Sequence, residues 1–412
     1  MQWTSIIKVY SERKYLLKVK EILINQKENT KQILLLEDGK LVEKYEENQD
    51  IQRIEGNIYI GKVENVLQGM QSAFVDIGQK KNTFIHLKDI LPKTDIKDVV
   101  QDEKKKIKEV IKSGMPLLVQ VKKDFTEAKG AKVSTHISLS SRFIVFMPNT
   151  TIITISQKIE DEQEKVRLTN IAKKYLPANC GVIIRTSAEN QPEDIIKKDI
   201  ELASEKWNNI NRIYEENKAN SNFPKLIYKS HNVIKRILID LIDKDLEKIT
   251  VNNNEDYEYL HKVLKEFDVT NAQIIKEKVD FLDERPLINE QFVKAKRRKV
   301  WLKCGGFITI DKTEALTAID VNSGKYIGID NVESTIYKVN KEASIEIEKQ
   351  LRLRDIGGIV IIDYIDMKSE ENKEKIIETL REELKKDRTK TQIVGFSKLN
   401  LLELTRKHIC GN

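Results

Sequence analysis

Residues 316–324 read LTAIDVNSG, and this short stretch decides how the C-terminal part of the chain folds. Apolar and polar side chains alternate along it, which is the period of a β-strand with one buried face. Ile319 and Val321 are therefore expected to point into the core, whereas Asp320 and Asn322 project together from the opposite face. The stretch predicts a strand that presents a carboxylate and a carboxamide side by side.

A second apolar stretch of the same region ends in carboxylates. Residues 359–362 read IVII, and Asp363 and Asp366 follow within four positions. Ligands collect at the carboxyl ends of such buried strands, so a site is expected here. Two carboxylates and a carboxamide suit Mg²⁺, with Mn²⁺ as the alternative metal. The competing interpretation is that Asp320 and Asp363 make only turn and cap hydrogen bonds.

The rest of the chain shows different periodicities. From residue 300 onward apolar strands alternate with helices, which predicts an α/β unit with buried strands. Residues 57–139 instead show five short alternating strands with one interposed helix, the pattern of an OB-fold barrel. Residues 192–214 carry an apolar stripe spaced three and four apart, which predicts an amphipathic helix. We therefore expect a multidomain α/β protein.

The composition indicates the class of protein. The 412 residues exceed what one hydrophobic core usually holds, so several folding units are expected. Charged residues make up 33% of the chain, and no apolar run approaches the roughly 18 residues of a membrane span. No membrane association is expected, and the N-terminus lacks the apolar core of a secretory signal, so we predict a cytoplasmic protein. The net charge of +7 is compatible with a polyanionic partner.

Cysteine and histidine are sparse and scattered. Cys180, Cys304 and Cys410 form no CxxC pair, so neither a disulfide framework nor a zinc site is expected. The five histidines are isolated in the sequence, and it contains neither a Walker loop nor a GxGxxG motif. Neither catalysis by histidine nor a histidine zinc site is therefore expected.

Other regions contain residues suited to binding nucleic acid. Phe74 and Phe84 lie in the predicted barrel, where exposed rings beside lysines hold single strands by stacking; alternatively, both rings fill the barrel core. Arg185 and Thr186 end an apolar strand, where they could receive a phosphate, or the arginine could form an edge salt bridge. The basic run KAKRRK at 294–299 is either a phosphate-binding track or a solvated surface.

Four stretches resemble a known protein family. The strongest likeness lies in residues 305–323 (GGFITIDKTEALTAIDVNS) and 350–367 (QLRLRDIGGIVIIDYIDM). Residues 56–63 (GNIYIGKV) and 73–78 (AFVDIG) add weaker, collinear matches. On these residues, and over essentially the whole chain from about Glu21, the sequence resembles the bacterial ribonuclease E/G family of endoribonucleases.

The resemblance implies a particular architecture for the multidomain α/β chain. Its parts would be an N-terminal extension at 1–20, a ribonuclease H-like subdomain split between 21–50 and 232–288, an OB-fold RNA-binding module at 51–133, a 5′-sensor α/β subdomain at 134–231 and a deoxyribonuclease-I-like catalytic subdomain at 289–412.

The resemblance also implies roles for single residues. Asp320 and Asp363 would hold Mg²⁺, and Asn322 would help to place the scissile phosphate. The residues that would contact RNA are Phe74, Phe84 and Lys129. Those that would receive a 5′ phosphate are Arg185, Thr186 and Val145. The implied activity is Mg²⁺-dependent hydrolysis of single-stranded RNA to products with a 5′ phosphate, stimulated by a 5′ monophosphate, in RNA processing or decay.

The sequence departs from the family pattern at two places. The family's Cys-Pro-x-Cys zinc link and the small domain after it have no counterpart before Asn412, so zinc is not expected. A homodimer through the catalytic subdomain would lack that link. Ser141 stands where the sensor pocket of the family has glycine. Two rival functions stay open, namely a non-catalytic RNA-binding factor that uses the barrel alone and a deoxyribonuclease.

Overall fold

The computed structural model of the chain describes residues 20–48, 53–90, 106–125, 130–230, 233–241, 246–267, 269, 271–278, 280–324 and 332–408. The predicted N-terminal extension lies outside the described residues except for Lys20. The chain divides into two compact units. The first unit is Met1–Asp50 with Leu241–Asn412, and the second is Ile51–Asp240.

Strands predominate in the described chain up to residue 155, and strands and helices are interspersed after it. The strands are β1 (Lys20–Lys27), β2 (Thr30–Glu37), β3 (Lys40–Asn48), β4 (Ile58–Leu67), β5 (Ser72–Asp76), β6 (Thr83–His86), β7 (Pro116–Lys123), β8 (Lys132–Ser134), β9 (Leu139–Ser140), β10 (Ile144–Pro148), β11 (Ile153–Ile155), β12 (Cys180–Ile184), β13 (Lys225–Tyr228), β14 (Leu246–Val251), β15 (Gln273–Lys276), β16 (Lys299–Trp301), β17 (Phe307–Lys312), β18 (Leu316–Asn322), β19 (Gly358–Asp363), β20 (Thr391–Phe396) and β21 (Leu401–Arg406). The α-helices are α1 (Ile107–Val110), α2 (Glu162–Tyr175), α3 (Glu193–Ala219), α4 (Val233–Leu241), α5 (Asn254–Glu266), α6 (Phe281–Glu284), α7 (Pro286–Lys294), α8 (Val332–Leu353) and α9 (Glu370–Leu384).

One sheet of the first unit combines strands from two distant parts of the sequence. Its order is β15-β14-β1-β2-β3, with β1, β14 and β15 parallel and the other pairs antiparallel. Strand β2 is buried from Lys31 to Leu36, because its apolar residues cover both faces of the strand. Leu34 and Leu36 pack with Ile288 and Phe292 in a small core.

The second sheet of the first unit has the order β16-β17-β18-β19-β21-β20. Strands β18 and β19 are parallel, and the other neighbouring pairs are antiparallel. We call it the catalytic sheet, after the role that the family resemblance implies for this part of the chain. Its inward residues form one core with α8 and α9, in which Ile319, Ile362, Ile347 and Ile376 are all buried. The helices therefore cover one face of this sheet, and the alternate strand residues lie on the other, which we call the open face.

The second unit contains a closed five-stranded barrel, as the sequence predicts. Strands β4-β5-β6-β8-β7 form a ring that closes through the pairing of β7 with β4, and β13 adds to β4 outside it. Only the pairing of β6 with β8 is parallel within this ring. The helical residues Ile107–Val110 lie between β6 and β7 in the sequence. This is an OB-like barrel.

The remaining sheet of the second unit has the order β11-β12-β10-β9. Its buried residues share a core with α2 and α3, which includes Ile144 and Phe146 from β10 and Ile196 and Ile200 from α3. The sequence predicts α3 from its apolar stripe, and the stripe residues are the ones that reach this core. Among the described helices of the whole chain, none is both long enough and apolar enough to cross a membrane.

Candidate active site and nucleic-acid interface

Strand β18 places Asp320 and Asn322 on the open face of the catalytic sheet. Ile319 and Val321 are buried, whereas Asp320 is exposed and Asn322 is half-buried. Asp363 is the last residue of β19 and is the register partner of Asp320. Because neighbouring strands lie about 4.8 Å apart and opposed residues share a face, the two carboxylates stand side by side. The two sequence stretches that end in carboxylates therefore meet at one place.

Hydrogen bonding and charge couple these three side chains. The Asn322 Nδ2 donates to Asp320 Oδ2 at 2.7 Å. Burial raises the pKa of Asp363 above its usual range, and the negative charges of Asp320 and Asp366 raise it further. Carboxylates that repel one another in this way are stabilised in their charged form by a cation.

The donor set fits a hard divalent cation. Among the residues that the structure describes, no group of three or more histidine, cysteine, aspartate or glutamate side chains is arranged to hold a metal. If a divalent metal bound at the open face, Asp320 and Asp363 could supply its protein ligands, and water or phosphate would complete its shell. Mg²⁺ binds in this manner, through one or two carboxylates.

Helix α8 fixes the segment that follows Asp363. The buried Asn340 donates from Nδ2 to the Ile365 carbonyl at 2.8 Å and accepts from the Ile365 N–H at 3.1 Å. Ser344, one turn later, shares a hydrogen bond of 2.7 Å with the Tyr364 hydroxyl. Neither residue was predicted from the sequence, although two polar side chains four positions apart beside an apolar stripe were a visible signal.

The glycine pair at 305–306 packs against the end of β18. A Cβ on Gly306 would lie 2.8 Å from the Asn322 carbonyl oxygen, which no side chain can occupy without displacing that strand. Gly305 adopts a left-handed φ of +94° in the same turn. Glu342 of α8 accepts a hydrogen bond from the Cys304 N–H at 3.1 Å, which anchors the turn to that helix. The turn therefore supports the strand that presents Asn322.

The two phenylalanines of the barrel are register partners on its outer surface. Phe74 on β5 lies opposite Phe84 on β6, and their ring centroids are 6.2 Å apart with an angle of 69° between the planes. Both rings are half-buried. Their neighbours along the strands are the residues that fill the barrel core, namely Ala73, Val75 and Ile85. The alternative that the two rings occupy the core is therefore wrong.

The lysines around the barrel differ in their surroundings. Lys129 lies outside the described residues. Lys132 Nζ lies 2.9 Å from Asp89 Oδ2 in a partly exposed ion pair. Lys122 Nζ donates to Gln120 Oε1 at 2.5 Å and to the Ser138 hydroxyl at 3.2 Å. The Lys122 ammonium is therefore engaged in hydrogen bonds with neighbouring protein side chains.

Arg185, Thr186 and Val145 lie at neighbouring positions of the four-stranded sheet. Arg185 follows the end of β12, and its Nη1 donates to the Ser141 carbonyl oxygen at 3.2 Å. The Thr186 hydroxyl shares a hydrogen bond of 2.8 Å with the Ser156 hydroxyl. Val145 is half-buried on β10, the strand that pairs with β12. A guanidinium and a hydroxyl are thus presented at one end of this sheet.

Ser141 has a partner that the sequence did not reveal. Its hydroxyl donates to one carboxylate oxygen of Asp199 on α3, and the other oxygen accepts from the Phe143 N–H at 2.9 Å. Asp199 is buried, and this burial raises its pKa above the usual range. The serine side chain is therefore engaged with the helix, and its carbonyl rather than its hydroxyl contacts Arg185.

Three of the cations in the basic run at 294–299 form ion pairs. Lys294 pairs with Glu290 at 2.6 Å, Lys296 with Glu46 at 3.3 Å and Arg298 with Asp311 at 2.5 Å. Most of the run thus forms an exposed surface of paired charges. Such exposed pairs contribute little stability, so they keep the surface close to neutral rather than hold the fold together.

Comparison with known proteins places this chain among ribonucleases. The model of the Ribonuclease E/G family matches residues 138–409. The chain is 37% identical over 397 residues to Ribonuclease G of Escherichia coli (strain K12), which covers 94% of this chain and 79% of that protein. It is 35% identical over 396 residues to a putative ribonuclease E of Buchnera aphidicola subsp. Baizongia pistaciae, covering 94% of this chain and 95% of that protein.

A more distant relative matches nearly the whole of this chain with a smaller share of its own length. Ribonuclease E of a Nostoc species is 33% identical over 394 residues, which is 92% of this chain and 56% of that protein. The family match spans more than half of the chain and includes the strands that carry Asp320, Asn322 and Asp363. On these findings, the chain belongs to the ribonuclease E/G family of endoribonucleases.

Proposed function

We propose that the chain is an endoribonuclease that hydrolyses phosphodiester bonds of single-stranded RNA at the open face of the catalytic sheet. The observation that carries the proposal is the register pairing of Asp320 with Asp363, together with the hydrogen bond from Asn322 to Asp320. A protein that only bound RNA would have no use for two adjacent carboxylates, which repel phosphate unless a cation lies between them.

Asp320 and Asp363 are the residues that would hold the metal, and Mg²⁺ or Mn²⁺ suits their oxygens. When bound there, the metal would supply a Lewis acid for hydrolysis of the phosphodiester. The Asn322 amide donates one N–H to Asp320, and its second N–H is expected to orient the scissile phosphate. The product on the 3′ side of the cut is expected to keep a 5′ phosphate.

We further propose that the outer surface of the barrel holds the RNA strand. Phe74 and Phe84 offer two ring surfaces outside the core, on which bases can stack without regard to their sequence. Lys129 is proposed as an additional RNA contact on the resemblance alone. The net charge of +7 supports a polyanionic substrate.

A 5′ monophosphate is proposed to bind at Arg185, Thr186 and Val145. A terminal monophosphate carries roughly −1.5 to −2 charge and three acceptor oxygens, whereas an internal diester carries one charge. The Arg185 guanidinium can donate two parallel hydrogen bonds to such a group. This chemistry would let the enzyme cleave RNA faster when its 5′ end bears a monophosphate.

The subdomain boundaries are part of the same proposal. The strand order β15-β14-β1-β2-β3 joins the segments at 21–50 and 232–288 and supports a split ribonuclease H-like subdomain. The barrel supports an RNA-binding module at 51–133, and the four-stranded sheet supports a 5′ sensor at 134–231. The catalytic sheet with α8 and α9 supports a deoxyribonuclease-I-like subdomain at 289–412.

The deciding experiment uses a labelled A/U-rich RNA strand, the same sequence as DNA, and the RNA annealed to its complement. We expect cleavage of the single RNA strand in Mg²⁺, none in EDTA, and recovery when Mg²⁺ is added back. The 3′ product should be a substrate for a ligase that requires a 5′ phosphate. Cleavage in EDTA would overturn the metal assignment, and equal cleavage of the DNA strand would favour a deoxyribonuclease.

A further inference from the structure

An exposed aromatic row continues the proposed active site across the open face of the catalytic sheet. Trp301 on β16 is the register partner of Phe307 on β17, and Phe307 is the register partner of Asn322 on β18. Since neighbouring strands are about 4.8 Å apart, Trp301 lies about 10 Å from Asn322 along this row. A nucleotide next to the scissile phosphate can cover that distance.

The indole of Trp301 presents much of its surface to solvent. Trp301 is 61% exposed, although tryptophan is usually a well-buried residue. It meets Phe307 edge-on, with ring centroids 5.3 Å apart and 64° between the planes. This contact fixes the orientation of the indole, and the exposed part of its surface is available for stacking.

A lysine lies against the same two rings. Lys299 Nζ lies 4.1 Å from the Trp301 ring centroid and 3.4 Å from that of Phe307. Lys299 also belongs to the neighbouring cross-strand row, in which it pairs with Thr309 and Thr309 pairs with Asp320. Lys299 therefore contacts both rings and belongs to the strand row that contains Asp320.

We propose that Trp301 and Lys299 bind the nucleotide beside the scissile phosphate, the base stacking on the indole and the adjoining phosphate meeting the lysine. A nucleotide is the one part of RNA that offers a flat ring and an anion together, which matches an indole beside an ammonium group. The inference rests on the proposed function, because it takes Asp320 and Asp363 as the place of cleavage. It adds a subsite that would position the strand at the cut.

The first test combines a protein change with a substrate change. Trp301→Ala should lower kcat/KM by about 5- to 150-fold, the range expected for loss of one stacked base. A second change removes one base from the RNA, and the abasic nucleotide is moved stepwise through the positions around the cut. At one of these positions the kcat/KM of the wild type should fall by a comparable factor. At that position Trp301→Ala should lose no more than about twofold further, since the base and the indole act as one pair.

Two variants serve as controls. Trp301→Phe keeps a stacking ring and should restore most of the activity. Val394→Ala removes another exposed apolar side chain, 65% exposed on β20 of the same sheet, and should stay within about twofold of the wild type. Equal melting temperatures of the four proteins would exclude misfolding as the cause of any loss.

A binding test does not depend on cleavage. In the Asp320→Asn background, single-stranded RNA should change the tryptophan emission, and Trp301→Phe in that background should remove the change, while Trp3 and Trp207 remain in both proteins. The subsite would be overturned if Trp301→Ala cleaved at the wild-type rate and gave the same profile across the abasic RNAs as the wild type. Absence of any Mg²⁺-dependent cleavage would instead overturn the proposed function, and the emission test would still decide whether the indole meets RNA.

Discussion

Two aromatic pairs, one in each unit, have nearly the same local geometry and very different surroundings. Phe74–Phe84 and Trp301–Phe307 are both cross-strand neighbours that meet edge-on, at 6.2 and 5.3 Å between centroids. The barrel pair lies on a wall of alternating apolar residues. The pair on the catalytic sheet lies beside Lys299 and continues to Asn322. Under the two proposals above, the same cross-strand contact would serve general strand binding in one place and positioning at a reaction centre in the other.

The largest effect is expected when the carboxylates themselves are changed. Asp320→Asn and Asp363→Asn should each lower cleavage by about 100-fold or more, because even changes around metal ligands cost about 10–100-fold. RNA affinity should stay close to that of the wild type, since the stacking surfaces remain. Single-turnover cleavage and filter binding on the same RNA measure the two quantities. A parallel loss of RNA affinity would mean that the carboxylates of the catalytic sheet also contribute to binding, which the proposal assigns to the barrel surface.

The proposed 5′-phosphate site extends the comparison to a third surface. Arg185→Ala should reduce the preference for 5′-monophosphorylated over 5′-hydroxyl RNA by about 10- to 150-fold, because hydrogen bonds to charged groups contribute about 1.5–3 kcal/mol. The rate on 5′-hydroxyl RNA should hardly change. Initial rates on the two matched substrates, in both proteins, give the ratio. A wild type that cleaves both substrates equally would leave Arg185 as a structural residue that holds the Ser141 carbonyl.

The barrel pair is expected to affect binding without affecting the chemical step. Phe74→Ala and Phe84→Ala should each weaken single-stranded RNA binding by about 5- to 150-fold, which corresponds to one stacked base. Because the rings touch, the double variant should lose less than the two single losses combined. Equilibrium binding and saturating single-turnover rates separate the two effects. A large drop in the saturating rate would show that the barrel pair also positions the strand for cleavage.

The sequence predicts regular elements well where the apolar pattern is strong. The closed barrel follows from its five alternating strands, and the opposed positions of Asp320 and Ile319 follow from the strand period alone. The partner of Asp320 was a different matter. That Asp363 lies directly opposite it depends on strand order and register across a 22-residue helix, which periodicity does not specify.

Contacts between distant segments account for what the sequence analysis missed. Nothing in the local pattern tells that Asp199 accepts from Ser141, or that Asn340 holds the backbone of Ile365. Trp301 was passed over for a related reason. Its ring follows the basic run at 294–299 and gives no periodic signal, and its place beside Asn322 appears only when β16, β17 and β18 are aligned.

The last prediction concerns the face of the catalytic sheet that the helices cover. A substitution there should affect cleavage less than any of the changes above. Glu348 is buried on α8, a helix that covers this face, and burial raises its pKa to about 7 despite the nearby Arg352. Between about pH 4.5 and 7, Glu348 therefore keeps its proton in the folded state and has lost it in the unfolded state. The stability from this proton is present below about pH 4.5 and is lost as the pH rises through about 7.

Glu348→Gln imitates the protonated side chain at every pH and should remove this dependence. Relative to the variant, the wild type should lose at most about 3 kcal/mol of unfolding free energy between pH 5 and pH 8. Urea unfolding of both proteins at the two pH values measures the difference, with the exposed Glu374→Gln on α9 as the matched control. Cleavage should be unaffected, because Glu348 lies on the helix-covered side and Asp320 on the open one. A pH-independent difference would place the Glu348 titration outside this window, and a loss of cleavage would show that the covered face shapes the site above it.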